Sequence, residues 1–303
     1  MTTEMFRQQL QESLEDIEDV LENYLPVRQD HAAQLIQAMN YSVTAGGKRL
    51  RPMILRETAK MYGGDMTLAE PFMAAIEMIH TYSLVHDDLP SMDNDEFRRG
   101  RKTTWAVYGE GMAVLAGDGL LNYAYETALL AYDTADDEEE KDRVIRALSI
   151  LSHNAGVFGM VGGQCEDIVT DRDSERLTPE LLDYIHEKKT ACLIAAAFQI
   201  GAVLAGAPGK DIDLLGQIAS DIGHAFQIQD DILDVTGTKE ELGKSIGKDA
   251  AEGKATYVSM NGLESSKEKV RQLTEHAVQL MDALSAHSDF LRELVLRLVV
   301  RTK

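Results

Sequence analysis

Apolar residues recur every three or four positions along most of the chain. The first segment with this spacing contains Phe6, Leu10, Leu14, Ile17, Leu21 and Leu25, and the segment ends at Pro26. Because such positions share one face of a helix, the pattern predicts an amphipathic helix. Similar patterns predict helices at roughly 30–44, 49–62, 68–88, 110–132, 140–169, 179–206, 211–235 and 263–300. Since no segment shows the alternation typical of strands, the sequence predicts an all-α fold.

Helix-breaking residues separate these segments. They include Gly63-Gly64, Pro208-Gly209 and a stretch rich in glycine and lysine at 237–254. Thr178 followed by Pro179 is a typical helix start, because threonine caps free backbone amides and proline suits the first helical position. The 303 residues contain neither a linker nor a low-complexity tract. The economical prediction is therefore one all-helical domain over residues 1–303.

The composition narrows the range of partners and compartments. Asp and Glu number 51 and Lys and Arg number 30, which gives a net charge of −21. A chain this acidic repels the phosphates of nucleic acids and anionic lipids, so neither is an expected partner. The acidic N-terminus does not resemble a signal peptide, and no run of about twenty apolar residues predicts a membrane span or anchor. Cys165 and Cys192 make no disulfide framework, which favours a cytoplasmic protein.

A first cluster of aspartates follows a predicted helix. The segment HDDLPSMDND contains Asp87, Asp88, Asp93 and Asp95. Four carboxylates at a helix C-terminus repel each other and the helix dipole, a cost that bound Mg²⁺ would offset. Because positions six apart do not share a helix face, Pro90 must break the helix if Asp93 is to turn back toward Asp87. A solvated acidic loop is the alternative interpretation of this cluster.

A second cluster lies in the segment FQIQDDILD, which contains Asp230, Asp231 and Asp234. Asp230 and Asp234 are four residues apart and share a helix face. Their neighbours are mostly apolar, so unpaired carboxylates would be costly there. Two acid clusters on separate helices can face each other across a cavity and hold metal ions, which weakens the alternative of an ordinary charged helix face.

Basic residues lie beside both clusters. They are Lys48, Arg49 and Arg51 in GGKRLRP, Arg98, Arg99, Arg101 and Lys102 in FRRGRKT, Lys188 and Lys189, and finally Lys244, Lys248 and Lys254. Cations at a helix start form an anion site, because the backbone amides there also point outward. Acids followed by bases form either a self-neutralising surface or a clamp for metal and phosphate.

Seven segments in order resemble the motif series of the trans-polyprenyl diphosphate synthase family. They are GGKRLRP, HTYSLVHDDLPSMDNDEFRRGRKTTW, LAGDGLLNYAYE, GMVGGQCED, EKKTACLI, FQIQDDILD and LGKSIGKD, which together cover about residues 40–260. The resemblance implies an all-α bundle around a deep central cavity, of the isoprenoid synthase type, that usually forms a homodimer.

The reaction implied by the resemblance is a Mg²⁺-dependent prenyl transfer. An allylic diphosphate ionises to a carbocation and diphosphate, the double bond of isopentenyl diphosphate attacks the cation, and a proton is lost to the leaving diphosphate. The implied allylic substrates are dimethylallyl and geranyl diphosphate, and the implied product is (2E,6E)-farnesyl diphosphate, as in the bacterial-type farnesyl diphosphate synthases. About three Mg²⁺ ions per active site are implied with substrate bound, and Mn²⁺ is expected to substitute for them.

The resemblance also assigns roles to individual residues. The implied metal ligands are Asp87, Asp88, Asp93, Asp230, Asp231 and Asp234. The allylic diphosphate would be bound by Arg98, Lys189, Lys244 and Lys254, and isopentenyl diphosphate by Lys48, Arg51, His80 and Arg99. The implied catalytic residues are Lys189, Thr190 and Gln227, of which the last two would place oxygens near the cation. A buried core histidine is the alternative interpretation of His80.

Product length is expected to depend on steric fit along the helix that precedes the first cluster. A bulky side chain one or two turns upstream would form the floor of the cavity that receives the growing chain. Tyr82 and Ser83 lie five and four residues before Asp87. An aromatic residue there, with Pro and Ser between the aspartates, resembles the farnesyl-forming type. Geranylgeranyl and geranyl diphosphate are the alternative products.

Two positions depart from the family pattern or have an open role. Trp105 lies where the family has histidine, and an indole neither accepts a hydrogen bond nor carries charge, so a contact to diphosphate is expected to be missing. The C-terminal residues 301–303 form either a basic lid or a solvated tail.

Two other classes of protein share parts of this pattern. A terpene cyclase would lack the second cluster and GGKRLRP, whereas this chain has both. A non-catalytic synthase subunit would have lost aspartates, and none is lost here. Both classes are therefore disfavoured.

Overall fold

The structure, a computed structural model, describes residues 1–27, 30–173, 176–236 and 256–299. Its helices are α1 (Thr3–Asn23), α2 (Ala33–Val43, after a 3₁₀ turn at Asp30–Ala32), α3 (Leu50–Met61), α4 (Met66–Asp87), α5 (Thr104–Tyr108), α6 (Glu110–Thr134), α7 (Glu138–Ala155) and α8 (Met160–Arg172). They continue with α9 (Pro179–Ile185), a π-helical turn (His186–Ala191), α10 (Cys192–Leu204), α11 (Gly209–Thr236), α12 (Tyr257–Asn261), α13 (Leu263–Asp282) and α14 (Asp289–Val299). The prediction of an all-α fold is confirmed.

A short hairpin contains the only strands in the described part of the chain. Strands β1 (Phe97–Arg98) and β2 (Arg101–Lys102) pair antiparallel, with Phe97 opposite Lys102. The sequence analysis predicted no strand. Strands of two residues are too short to show the alternation on which that prediction relied.

Two of the predicted helices are each interrupted by a turn. The segment 140–169 breaks between α7 and α8, where a Cβ on Gly159 would lie 2.0 Å from the carbonyl oxygen of Asn154. The segment 263–300 breaks between α13 and α14, where the backbone N–H and hydroxyl of Ser285 donate to Asp211 Oδ2 at 2.9 and 2.5 Å. Apolar spacing continues through both turns, so periodicity alone did not reveal them.

One described stretch passes a membrane-span test by length and composition, although the sequence analysis predicted none. It runs from Glu138 to Asp171 and includes the turn between α7 and α8. Core helices of water-soluble proteins pass the same test, so the match is weak support for a membrane span.

Packing contacts divide the chain into two compact units. The amino-terminal unit contains Arg7–Leu148 and Val203–Gly206, and the carboxyl-terminal unit contains Met1–Phe6, Ser149–Ala202 and Ala207–Lys303. The first aspartate cluster belongs to the amino-terminal unit and the second to the carboxyl-terminal unit. One domain with a central cavity remains a prediction.

Helix α4 is the centre of the amino-terminal unit. It packs against α2, α3 and α6, and its side chains Phe72, Met73, Ile76 and Ile79 are fully buried. A helix that is apolar on most sides is stable only in such surroundings. The facing positions of α6 are mostly small, including Ala113, Ala116, Gly117, Ala124 and Ala128, and they permit close approach. The end of α4, where the aspartates lie, is therefore held by a rigid support.

Helix α11 has the corresponding place in the carboxyl-terminal unit. It packs against α13, α14 and the π-helical turn, and buries Leu215, Ile218 and Ile222 completely. In the same unit the rings of Phe6 and Phe290 stack with centroids 5.3 Å apart. This packing fixes the helix that carries the second aspartate cluster.

Arg49 is buried at the start of α3 and serves the fold. It has a left-handed backbone (φ 47°), and its guanidinium donates to Glu77 Oε1 and Glu18 Oε1, both at 2.8 Å, and to the carbonyl of Val43 at 2.7 Å. The side chain of Glu77 is only 2% exposed. Arg49 thus neutralises a carboxylate inside the core and fixes the backbone between Lys48 and Arg51.

Arg49→Ala is expected to lower the free energy of unfolding by about 3–5 kcal/mol, because Glu77 would stay buried without its direct partner. Urea denaturation of the two proteins measures this difference. Arg271→Ala is the control, since Arg271 makes exposed ion pairs with Glu268 and Glu275 that stabilise little. Equal losses in the two variants would show that the burial of Arg49 has no special importance.

Candidate active site

The chain turns back on itself at the end of α4. The backbone N–H of Asp93 donates to the carbonyl of Asp87 at 2.8 Å, and that of Asp95 to the carbonyl of Asp88 at 3.2 Å. Asn94, in left-handed backbone (φ 53°), bonds through its N–H to the carbonyl of Leu89 at 3.0 Å. These bonds use carbonyls at the helix end that have no partner within the helix. The prediction that Asp93 turns back toward Asp87 after Pro90 is confirmed.

Trp105 holds this aspartate loop in place. Its indole N–H donates to the carbonyl of Asp95 at 2.9 Å, and the hydroxyl of Thr103 donates to the same oxygen at 2.9 Å. The indole ring packs against the buried side chains of Val85 and Leu89. The sequence predicted the loss of a diphosphate contact at Trp105 and gave no indication of this supporting role. The signal available was a large side chain with one donor beside a loop rich in acceptors.

Asp88 and Arg98 form an ion pair at the same helix end, in which Asp88 is buried and Arg98 is half-buried. Arg98 donates to Asp88 Oδ1 through Nε and Nη2, both at 2.7 Å, and the Asp88 side chain is 5% exposed. Burial raises the pKa of Asp88, and the ion pair with Arg98 offsets this in part. Self-neutralisation therefore accounts for these two residues. It buries the carboxylate of Asp88, whereas the Arg98 side chain is 33% exposed.

Three cations or donors converge near the start of α3. Burial lowers the pKa of His80 well below its usual range, and the positive charges of Arg51 and Arg99 lower it further. His80 is therefore neutral at neutral pH and can donate one ring hydrogen. Arg51 Nε is buried and has no hydrogen-bond partner among the described residues. An anion would supply the acceptor that this donor lacks.

The two glycines of GGKRLRP make room for Arg99. The Arg99 guanidinium donates to the carbonyl of Gly46, and a Cβ on Gly47 would lie 2.7 Å from the guanidinium carbon. Any larger residue at position 47 would displace Arg99. Lys48 follows directly and its side chain is exposed. The structure thus brings Arg51, His80 and Arg99 together and places Lys48 at the edge of the same segment.

Four polar side chains follow each other along α11. The side chains of Gln227, Asp230, Asp231 and Asp234 are half-buried; Asp230 and Asp231 are adjacent, and each lies three or four residues from Gln227 and from Asp234. Asp231 also accepts the backbone N–H of Tyr257 at 2.7 Å, which ties the start of α12 to α11. Sequence reasoning placed these carboxylates on one helix correctly, but it did not find the bond to Tyr257.

Lys189 and Thr190 lie in the π-helical turn. A Cβ on Gly163 of α8 would lie 2.3 Å from the backbone nitrogen of Lys189, and a Cβ on Gly223 of α11 would lie 2.3 Å from the Cβ of Ala191. The turn is therefore packed between two helices that approach it through glycine. Lys189 Nζ bonds to Asp167 Oδ2 at 2.5 Å. Such turns are frequent at functional sites, because they redirect side chains out of the regular helical pattern.

Not every residue predicted to lie in the site has a described position. Lys244, Lys248, Lys254 and residues 301–303 lie outside the described residues. Within the described ranges, no three side chains of His, Cys, Asp or Glu are grouped closely enough to hold a metal ion. In the first cluster, the buried Asp88 is directed at Arg98 and Asp93 is exposed in the turn.

The residues proposed to set product length lie on the buried part of α4. Tyr82 is 6% exposed, and burial, followed by the nearby Tyr125 and Asp87, raises the pKa of its hydroxyl to about 12. The hydroxyl of Ser83 donates to the carbonyl of His80 at 2.9 Å, within the same helix. Tyr82 therefore presents an uncharged aromatic ring, and Ser83 a small side chain.

The family model of the polyprenyl synthetases matches residues 32–291, which is most of the chain. The chain belongs to the polyprenyl synthetase family. It is 43% identical to a farnesyl diphosphate synthase of Bacillus subtilis over 284 residues, covering 93% of this chain and 94% of that protein. The seven-motif resemblance is thereby confirmed, and the protein is a trans-prenyltransferase.

Two further similarities bear on product and fold. The chain is also 43% identical to a geranylgeranyl diphosphate synthase of Cyanophora paradoxa over 268 residues, covering 88% of this chain and 87% of that protein. The solved structure of a geranyltransferase from Helicobacter pylori, complexed with magnesium and isoprenyl diphosphate, matches this prenyltransferase with a TM-score of 0.80 at 33% identity, covering 96% of this chain and 95% of that one. Relatives with different products are thus equally similar in sequence.

Trp105→Phe is expected to loosen the aspartate loop, because phenylalanine keeps the packing but lacks the donor to Asp95. The loss of one hydrogen bond, about 1 kcal/mol net, should speed hydrogen exchange of the Asp93 and Asp95 amides about fivefold. NMR exchange measurements at these amides test this. Val107→Ala, an exposed change on the same helix α5, is the control and should leave both rates unchanged. Unchanged rates in Trp105→Phe would refute the supporting role.

His186 predicts a dependence of stability on pH. It begins the π-helical turn, its Nδ1 is buried without a partner among the described residues, and burial, with His224 nearby, lowers its pKa to about 4. The pKa of this histidine in the unfolded chain is about 6.5. At pH values between about 4 and about 6.5, the unfolded chain therefore binds more protons than the folded chain. The stability term is therefore fully present above about pH 6.5 and is lost as the pH falls toward 4.

His186→Asn should flatten this part of the profile, by up to about 1.4 kcal/mol per pH unit. Urea denaturation at several pH values between 4 and about 7 measures the slope. His287→Asn replaces an exposed histidine of the same unit and should keep the wild-type slope. A wild-type slope in His186→Asn would mean that His186 titrates normally in the fold.

Proposed function

We propose that this prenyltransferase condenses isopentenyl diphosphate with dimethylallyl and then geranyl diphosphate to give (2E,6E)-farnesyl diphosphate. The observation that carries the proposal is the arrangement of charge around the end of α4. Asp88, Arg98, Arg99 and Lys102 line one small cavity with Thr81 and Leu84. One carboxylate and three basic side chains thus lie beside Leu84 in one unit, which supports a site for metal and diphosphate.

The proposed site for isopentenyl diphosphate consists of Lys48, Arg51, His80 and Arg99. Arg51 offers a buried donor that lacks an acceptor, and neutral His80 offers a second donor. Charge-assisted bonds from guanidinium groups to phosphate are short and directional. They would hold the substrate while its double bond attacks. The low pKa of His80 supports donation of a hydrogen bond, and it also fits the simpler interpretation of a buried histidine.

Magnesium is the proposed cofactor, and the donor set fits it. Asp87, Asp88, Asp93, Asp230, Asp231 and Asp234 would supply the carboxylate oxygens that this hard cation prefers, for about three ions, with Mn²⁺ able to substitute. The raised pKa of Asp88 reflects a burial cost that a divalent cation would offset. When bound, Mg²⁺ neutralises charge on the leaving diphosphate. The magnesium complex of the Helicobacter pylori relative supports this assignment.

Lys189, Thr190 and Gln227 are the proposed catalytic residues. Lys189, with Arg98, Lys244 and Lys254, would bind the allylic diphosphate and stabilise it as it leaves. The side-chain oxygens of Thr190 and Gln227 would lie near the carbocation, where they stabilise positive charge without reacting. The π-helical turn supports this role, because it fixes Lys189 and Thr190 through close backbone packing.

Product length is proposed to be set by Tyr82, with the small Ser83 beside it. A buried aromatic ring five residues before Asp87 would stop the growing chain at the length of a farnesyl group. The relative from Cyanophora paradoxa keeps geranylgeranyl diphosphate as the second candidate product. Geranyl diphosphate is a shorter alternative.

We also propose that the protein is a cytoplasmic homodimer without a membrane anchor or a nucleic-acid partner. Helix α6 exposes Val114, Leu115, Leu129 and Leu130, each more than 40%. Such an apolar surface favours burial against a second copy. The net charge of −21 opposes binding to nucleic acid and anionic lipid.

The reaction is tested by incubating the purified protein with labelled isopentenyl diphosphate and either allylic primer, with Mg²⁺ or with EDTA. Farnesyl diphosphate is the expected product with Mg²⁺, and no product is expected with EDTA. The product is identified by chromatography after dephosphorylation. Cyclic hydrocarbon would assign the protein to the terpene cyclases. No product from a folded protein would indicate a non-catalytic subunit.

Tyr82→Ala is expected to shift the main product to geranylgeranyl diphosphate, because the proposed floor is removed. The ratio of the two products from geranyl diphosphate measures the shift. Tyr132→Ala is the matched control, since Tyr132 is an exposed tyrosine of the same unit. A farnesyl product from Tyr82→Ala would remove the steric explanation while leaving the reaction itself intact.

A further inference from the structure

His86 lies one helical turn after Tyr82 and contacts its ring. The two ring centroids are 5.8 Å apart, and the rings meet edge to face at 77°. His86 Nε2 also donates to the carbonyl of Val114 on α6 at 3.1 Å. The imidazole thus forms a hydrogen bond to α6 through Nε2 and contacts the Tyr82 ring.

Gly117 provides the space that this imidazole occupies. A Cβ at position 117 would lie 2.0 Å from His86 Nε2 and 2.4 Å from Cδ2. Gly117 lies inside α6, where glycine costs about 1 kcal/mol relative to alanine, and its backbone has no positive φ that would require glycine. The close approach of His86 is therefore the physical reason for glycine at this position.

Other residues also surround the Tyr82 side chain. Tyr125 of α6 and Asp87 lie close enough to influence its hydroxyl, and the side chain is almost entirely buried. The His86 side chain is 28% exposed, so loss of the imidazole would open a space next to Tyr82 that is partly open to solvent. Tyr82 would lose the ring contact on this side, and partial relaxation toward α6 would lower the floor that it forms.

We propose that His86 is a positioning residue that sets product length through Tyr82. This inference rests on the proposed prenyl transfer. It assigns His86 no contact with substrate, since Nε2 bonds to Val114 and the ring faces Tyr82. The alternative is that His86 only fills space between α4 and α6, in which case its loss lowers stability without changing the product.

The test measures the ratio of geranylgeranyl to farnesyl product from geranyl diphosphate for wild type, His86→Ala, Tyr82→Ala and the double variant. His86→Ala should raise the ratio roughly tenfold or more, the scale on which a pocket discriminates hydrocarbon length. The double variant should match Tyr82→Ala, because His86 acts through Tyr82. An unchanged ratio in folded His86→Ala, or independent effects in the double variant, overturns the proposal.

A second pair of variants decides the matter if His86→Ala does not fold. Gly117→Ala should displace the imidazole and also raise the ratio, whereas Gly111→Ala, in the same helix with open space around its Cβ position, should not. Equal ratios in these two folded variants overturn the proposal. A wild-type protein that makes no prenyl product refutes the proposed function, whereas wild-type farnesyl formation with wild-type ratios in all His86 and Gly117 variants refutes this inference alone.

Discussion

The repulsion between carboxylates at the end of α4 is the constraint around which the amino-terminal unit is arranged. Asp87 and Asp88 add negative charge where the helix dipole is already negative. The chain answers this with Arg98, which is brought onto Asp88 by the hairpin β1–β2, and with a loop whose amides bond to the last carbonyls of α4. Burial of Asp88 still costs desolvation of its carboxylate, which the ion pair offsets in part. The ion pair thus offsets the charge of Asp88, and the proposed metal would offset the remaining charge of the cluster.

Much of this site could be predicted from the sequence, because its logic is local. Asp93 had to turn back after Pro90 for geometric reasons, and the bonds from Asp93 and Asp95 show that turn. The family resemblance also assigned Arg51 and Arg99 to one site, and both arginines lie near the His80 imidazole, whose pKa they lower. The effect of a proline on the backbone extends over only a few residues. A single sequence is therefore enough to predict it.

Other features depend on tertiary contacts that no local pattern reveals. Trp105 supports the aspartate loop through one N–H, and nothing in its neighbourhood in sequence shows that Asp95 is the acceptor. The π-helical turn is packed between two helices that approach it through Gly163 and Gly223, both distant in sequence. The turn before α14 is stabilised by Asp211, more than seventy residues away. Apolar periodicity predicted where helices run but gave no information about these partners.

Helix α4 joins functions that the reaction needs in a fixed relation. It carries His80 near the proposed isopentenyl diphosphate site, Tyr82 at the proposed floor and Asp87 at the proposed metal site, all within eight residues. Because the helix is buried against α2, α3 and α6, these side chains keep their spacing while substrates of different length bind. Small shifts of one buried ring then change the space available to the product without moving the carboxylates. A relation of this kind would let product length change at one buried ring, and it fits the equal identity of this chain to relatives named for different products.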